Sequence, residues 1–228
     1  MQVTSWILVV MRLSTRRVEI AGIAPPDRVA GLVKELQNPA SFKRRNGVPS
    51  LSADSAGYNA DTGQYWRGAV WPSGQCMVQE GLRVCGQDDY ARELGETYYA
   101  AQLEVFRNEK TIKENMAPDK PMGCGVADFV GWGGLGPVAN LIESVLGFDL
   151  DAPGKTITWR ITKTERHGIS NLKLGDIRAD IVCGARQAPG DPCALVVRSG
   201  GPFRLRILQN GKEMEKPIEK GEQQFVVK

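Results

Sequence analysis

Apolar residues recur at helical spacing through roughly the first two thirds of the chain and alternate with polar ones through the last third. Behind Pro25-Pro26-Asp27, the side chains of Val29, Leu32, Val33 and Leu36 share one face, which predicts a helix with proline in its first turn that stops before Pro39. Trp71-Pro72-Ser73 opens a second helix that carries Met77, Val78 and Leu82 inward and ends near Gly86. Asp88 or Asp89 caps a third, with Leu94, Tyr98, Ala101 and Val105 facing in. After a glycine-rich stretch, Gly133-Gly134-Leu135-Gly136-Pro137 leads into a fourth helix whose apolar face is Val138, Leu141, Ile142, Val145 and Leu146.

At Asp149-Leu150-Asp151-Ala152-Pro153-Gly154 the period changes, because Ile157, Trp159 and Ile161 alternate with threonine and arginine. Short runs follow near Ala179–Cys183, Ala194–Arg198, Phe203–Leu208 and Gln224–Val227, separated by Gly-Asp, Pro-Gly, Gly-Gly and Asn-Gly signals. They predict an antiparallel sheet or sandwich, with Asn210-Gly211 the clearest hairpin turn. The segment from Phe42 to Gly68 is rich in glycine, serine, aspartate and asparagine. A loop of that length inside a folded domain is the kind that carries a site.

Composition adds limits. With 42% hydrophobic and 24% charged residues among 228, the chain can bury a normal core. The net charge of +3 is spread along the sequence, and its densest basic run, Phe42-Lys43-Arg44-Arg45, is too short to track phosphates, so no nucleic-acid partner is expected. Five cysteines form no CxxC pair, and neither a metal site nor a cofactor is expected. Cys183 and Cys193 fall in neighbouring predicted strands and admit either a disulfide or two buried thiols. The opening stretch, Met1 to Met11, is too short for a signal-peptide core or a span and has arginines behind it, so no export and no membrane insertion are expected.

Three constellations could carry chemistry. In Gln64-Tyr65-Trp66-Arg67-Gly68-Ala69-Val70-Trp71-Pro72, rings offer flat faces to the C–H side of a sugar, and Arg67 can donate to neighbouring hydroxyls. A core aromatic cluster with a structural arginine fits the same residues. In Lys113-Glu114-Asn115-Met116-Ala117-Pro118-Asp119, Glu114 is a carboxylate at a helix end facing a glycine-rich loop, suited to general-base work or simply solvated. In Gly131-Trp132-Gly133-Gly134, the glycines let a ligand approach the backbone beside Trp132, or make a tight turn under a packed indole. The one histidine, His167, lies in the β-region with no nucleophile nearby in sequence, and no phosphate loop, dinucleotide fingerprint or HExxH is present.

Taken in order with their intervening helices, the helix at Pro26–Gln37, Tyr65 to Pro72, Lys113 to Pro118 and Phe129 to Gly134 resemble the last third of an (α/α)6 barrel. The family is the inverting glycosidases of glycoside hydrolase family 63, including mannosylglycerate-hydrolase-like proteins, with trehalases more distant. The resemblance covers Ala21 to about Leu150. It implies a mainly α fold, a partial α/α toroid, followed by a small antiparallel β-sandwich. The domains are then 1–20, an atypical N-terminal segment; 21–150, the end of the catalytic toroid; and 151–228, an accessory sandwich. It also implies Glu114 as general base and Trp66, Arg67, Trp71, Trp132 and Tyr65 as the lining of the sugar subsite.

The sequence departs from the pattern at one functional point. The family's general acid is an aspartate from an earlier barrel segment that nothing here matches, since Asp54 and Asp61 lie in the loop ahead of the Tyr-Trp-Arg motif. Residues 1–20 do not resemble the preceding barrel segment either, as an interrupted reading frame would produce. The expectation is a glycosidase piece whose partners are a carbohydrate and the acid-bearing part of the barrel. A non-catalytic carbohydrate-binding or structural remnant is the alternative.

Overall fold

The computed structural model describes residues 8–12, 17–21 and 26–227; Met1, much of the opening segment and Pro25 lie outside them. The chain divides into two compact units, Met1–Val145 and Leu146–Lys228. The first opens with an antiparallel pair, β1 (Leu8–Arg12) and β2 (Arg17–Ala21), in which Val10 faces Glu19 across the ladder. Three α-helices follow: α1 (Pro26–Leu36), α2 (Pro72–Val84) and α3 (Asp88–Glu109). Two-residue strands β3 (Asn115–Met116) and β4 (Gly123–Cys124) then pair, and a 3₁₀ turn at Gly131–Gly134 runs into a π-helix at Gly136–Val145. No helix among the described residues is long and apolar enough to cross a membrane.

Local chemistry explains the helix starts. Pro72 sits in the first turn of α2, where its missing N–H costs nothing, and Asp88 and Asp89 fall in the first turn of α3, where their charge suits the helix dipole; the cap itself is Gln87. One core joins Leu36 of α1 and Val48 to Leu82, Tyr90, Ala91 and Leu94. A second joins Val70 and Met116 to Tyr98, Ala101 and Val105 of α3. Two expected inward faces are turned differently. Met77 is 64% exposed, because α2 buries Pro72, Gln75, Gln79 and Leu82 instead. In the last helix the buried positions are Gly136, Asn140 and Ser144, four residues apart as the wider π turn requires, which leaves Val138 on the surface.

Side chains seal these polar faces. Gln75 accepts from the Val48 amide at 3.0 Å and donates to the Val48 carbonyl at 2.7 Å. Ser144 hydrogen-bonds both Gln79 and Arg83, while Asn140 donates to the Gly95 carbonyl at 2.8 Å and Gln102 to the Gly133 carbonyl at 2.8 Å. The long loop between α1 and α2 is tied down in the same way. Asn46 is fully buried and donates to the carbonyls of Ala117 and Lys120, both at 2.7 Å, and Arg44 grips Asp119 with Nη2 at 2.6 Å.

The second unit consists of two four-stranded sheets. One has the order β11 (Lys212–Ile218), β10 (Phe203–Gln209), β6 (Thr156–Arg160), β5 (Phe148–Asp151). The other runs β12 (Gly221–Val227), β9 (Cys193–Ser199), β8 (Ile177–Cys183), β7 (His167–Leu174). Alternation in β8, β9 and β10 buries every second side chain, and the two inner faces meet where Cys193 of one sheet reaches Gln209 of the other at 3.4 Å. Asn210 and Gly211 turn β10 into β11 with φ of 52° and 71°, the left-handed pair that an Asn-Gly hairpin supplies. The pairing of β6 with β10 is parallel, which the intervening crossover through the other sheet permits. All five cysteines are free thiols, with Cys183 and Cys193 buried.

These strands overturn the expected mainly α fold. Among the described residues the chain is 29% helical and about 30% strand, a mixed α/β protein with a β-rich carboxyl-terminal part. Part of the strand content was hidden because β7, His167–Leu174, and β11, Lys212–Ile218, carry fewer apolar residues to betray an alternation than β8, β9 and β10 do.

His167 gives the β-rich unit an acid sensitivity. Its ring lies edge-on to the buried Trp159 at 5.4 Å, and its Nδ1 is 2.7 Å from the Glu165 carbonyl oxygen. Burial first, then the charges of Arg186 and Lys163, hold its pKa below the ordinary histidine value against the opposing pull of Glu165. The unfolded chain therefore takes up this proton before the folded one, so stability is lost as pH falls through about 6.5, the unfolded value. The thermal midpoint of the β-rich unit should drop between about pH 7 and pH 5 by less in His167→Gln than in the parent. Identical slopes for the two proteins would show that His167 does not contribute.

Candidate functional site

The site is built where two loops are joined to each other. Val70 and Met116 exchange backbone hydrogen bonds of 2.8 and 3.0 Å, so the aromatic loop entering α2 and the segment beginning at Glu114 are held side by side. Trp71, the residue that precedes α2, is 3% exposed and organises the rings around it. Its indole lies parallel to that of Trp66 with centroids 4.1 Å apart, edge-on to Tyr65 at 4.7 Å and edge-on to Trp132 at 6.3 Å. Its Nε1 also donates to the Tyr65 carbonyl at 3.1 Å, which fixes the loop that bears Tyr65 and Trp66. Trp66 itself is 41% exposed, so one of its faces is covered by Trp71 while the residue stays open to solvent.

Glu114 stands beside this cluster and is only 9% exposed. The neighbouring Glu114 carboxylate, ahead of burial, raises the Tyr65 phenol above its ordinary pKa. Glu114 Oε2 has no donor among the described residues. The walls around the carboxylate are glycines. A side chain at Gly125 would place its Cβ 2.9 Å from Oε2, and one at Gly131 would come within 3.1 Å of Glu114 Cγ. Gly125 has φ of 106°, which L residues rarely adopt, so both shape and backbone require glycine there. Next to Glu114, the Asn115 side chain is 1% exposed and neither of its polar atoms has a described partner.

The structure thus brings together Tyr65, Trp66, Trp71, Trp132 and Glu114. Arg67 is turned differently, its Nε donating to the Gly57 carbonyl at 2.9 Å in the long loop. Gly125 was not singled out in the sequence; the signal that marks it is the Gly123-Cys124-Gly125 spacing opposite Glu114, a relationship visible only once β3 and β4 pair. Of the two aspartates in the long loop, Asp61 is bound by Lys120 at 2.5 Å, which holds its carboxyl below the usual range, and Asp54 accepts from Ser52 at 2.5 Å. Among the described residues, no three His, Cys, Asp or Glu side chains gather as a metal site would need. A concavity of about 490 Å³ on the outer face of one sheet is lined by charged and hydroxyl groups including Asp149, Thr158 and Arg206, without an aromatic ring.

The chain is 26% identical over 215 residues to an uncharacterized protein of Borreliella burgdorferi, a match covering 89% of this chain and 45% of that one. It is also similar to solved structures from Thermus thermophilus. One is an uncharacterized conserved protein, 28% identical with a TM-score of 0.42, covering 51% of this chain and 28% of that one. Another is a GH63 mannosylglycerate hydrolase in complex with glucose, 29% identical with a TM-score of 0.40, covering 50% of this chain and 27% of that one. The chain therefore spans less than half the length of these relatives. The model of the mannosylglycerate hydrolase MGH1-like glycoside hydrolase domain matches residues 19–132, which is half of the chain and contains Tyr65, Trp66, Trp71, Glu114 and Trp132. The three ordered motifs and the family model agree, and the chain belongs to the mannosylglycerate hydrolase MGH1-like glycoside hydrolases.

Proposed function

We propose that this chain is the base-bearing part of an inverting α-glycosidase acting on a small α-linked glucoside, mannoside or similar glycoside, with Glu114 as general base. The observation that carries the reading is the shielded carboxylate of Glu114 beside an open tryptophan platform. A carboxylate so placed can accept a proton from a water that attacks the sugar on the face opposite the leaving group. Trp66, backed by Trp71, offers its ring to the apolar face of that sugar, and Trp132 and Tyr65 close the sides. The family name supports an α-mannoside or related small glycoside as substrate.

Inversion needs a second carboxyl roughly 6.5–9.5 Å from the first, with the water between them. Asp54 and Asp61 are engaged by Ser52 and Lys120, which favours an acid supplied by another part of the barrel. Val126, Phe129, Val130, Trp132, Leu135 and Val138 present exposed apolar side chains along one stretch, a surface suited to receiving such a part. The same features favour, as the second reading, a polypeptide that binds a carbohydrate without cleaving it when it acts alone.

The test is a chimaera in which residues 19–132 replace the matching segment of a longer family member. It should hydrolyse an aryl α-glycoside and release the β-anomer first, as read by proton NMR within the first minutes. Release of the α-anomer would overturn inversion. A folded chimaera that binds sugar but shows no hydrolysis would favour the binding reading.

A further inference from the structure

We infer that Phe129 is a further sugar-contacting residue of this site, its ring lying against the C–H face of the pyranose unit held beside Glu114. This rests on the carbohydrate site of the reading above, and it holds whether that site cleaves the sugar or only binds it.

The loop that carries Phe129 curls round the carboxylate. Gly125 at its start, Asp128 near its middle and Gly131 at its end all take left-handed backbone, with φ of 106°, 58° and 49°, so the chain turns back repeatedly and both end glycines lie against Glu114. Gly131 is also what lets the ring approach. A Cβ built there would lie 2.8 Å from Phe129 Cε1 and 3.1 Å from Glu114 Cγ, so the ring edge and the carboxylate stem are neighbours across one missing methyl group. Phe129 is nevertheless 51% exposed, so the core leaves much of its ring uncovered. A general base reaches the anomeric carbon through one water, at about 3 Å for each contact, so an open ring beside its stem borders the same sugar unit. That separates Phe129 from Trp66, whose ring is stacked on Trp71 in the aromatic loop. A phenyl offers C–H contacts and no hydrogen bond, which fits the apolar side of a neutral pyranoside. Within the exposed stretch from Val126 to Val138, Phe129 therefore serves the ligand, and the aliphatic side chains stay available to another part of the barrel.

The test titrates the full chain, its phenylalanine rings labelled with carbon-13, with methyl α-mannopyranoside and methyl α-glucopyranoside, and follows the rings by NMR. Phe129→Leu identifies the Phe129 signals by their loss. Those signals should move as one of the sugars binds, while those of Phe106, 45% exposed on α3, should stay put. Phe129→Ala should weaken sugar affinity roughly three- to tenfold, the worth of one ring contact, with an unchanged circular dichroism spectrum, and Phe129→Tyr should keep the parent affinity because the ring is kept. If Phe129→Ala does not fold, Phe129→Leu, which keeps the apolar bulk without the ring, should show the same loss. Unmoved Phe129 signals, or parent affinity in a folded variant without the ring, overturn the inference; a parent chain that binds neither sugar overturns it together with the platform. In the chimaera carrying residues 19–132, Phe129→Ala should raise KM by the same factor and leave kcat within about threefold. A sugar-responsive Phe129 in a chain whose chimaera is inactive removes the cleavage reading alone, and an active chimaera whose KM ignores Phe129→Ala removes this inference alone.

Discussion

Glu114→Gln, placed in the chimaera carrying residues 19–132, is expected to lower glycoside hydrolysis by a factor on the order of 10²–10⁴ while leaving sugar affinity within about threefold. The amide has the volume of the carboxylate, so the glycine walls at Gly125 and Gly131 accept it. What it loses is basicity. A neutral amide cannot take a proton from water at neutral pH, so the loss should fall on kcat and spare KM, which separates a catalytic role from a binding one. The measurement is the full substrate dependence of both proteins with an aryl α-glycoside. A variant with unchanged kcat would falsify the assignment of Glu114 as base.

The second large effect belongs to Trp71→Ala, which should cost about 3–5 kcal/mol of stability by analogy with other buried aromatic truncations. The ring is 3% exposed, stacks on Trp66 and meets Tyr65 and Trp132 at its edges, and its Nε1 satisfies the Tyr65 carbonyl. Removing it opens a cavity and strips the Tyr65–Trp66 loop of its support, so the sugar platform should fail together with the fold. Trp66→Ala provides the contrast. With 41% of the residue exposed, it should cost about 1 kcal/mol or less while still abolishing sugar binding. Urea denaturation followed by circular dichroism measures both, and equal costs for the two variants would show that the distinction between support and platform is wrong.

How much of this was legible in the sequence depended on whether a side chain's burial follows from its type. α3 reads directly, since Leu94, Tyr98, Ala101 and Val105 are both apolar and buried. α2 misleads at Met77 because its inner face is made of Gln75 and Gln79, whose value lies in hydrogen bonds to Val48 and Ser144 that no periodicity reveals. The last helix misleads for a geometric reason: a 3.6-residue pattern laid on a π turn assigns Val138 to the wrong side. In the second unit β8, β9 and β10 alternate cleanly, whereas the alternation in β7 is confined to its end at Leu172 and Leu174, and β11 was signalled by the Asn210-Gly211 turn ahead of it more than by its own residues. The site was legible as three motifs, and their resemblance to a family joined them. The bridge between Val70 and Met116, which brings Tyr65 to Glu114, belongs to tertiary structure alone.

The seam between α2, α3 and the π-helix has a consequence for how the helices find their partners. Ser144 bonds to both Gln79 and Arg83, Asn140 bonds to the Gly95 backbone, and Gln102 bonds to Gly133. Greasy helix faces can slide a turn past each other at small cost, but a polar seam cannot, because each step would strand several donors and acceptors away from water at about 1–3 kcal/mol apiece. The seam therefore acts as a lock on register. It fixes where the Gly131–Gly134 turn begins, and with it the place of Trp132 against Trp71, independently of how much oil the helices bury.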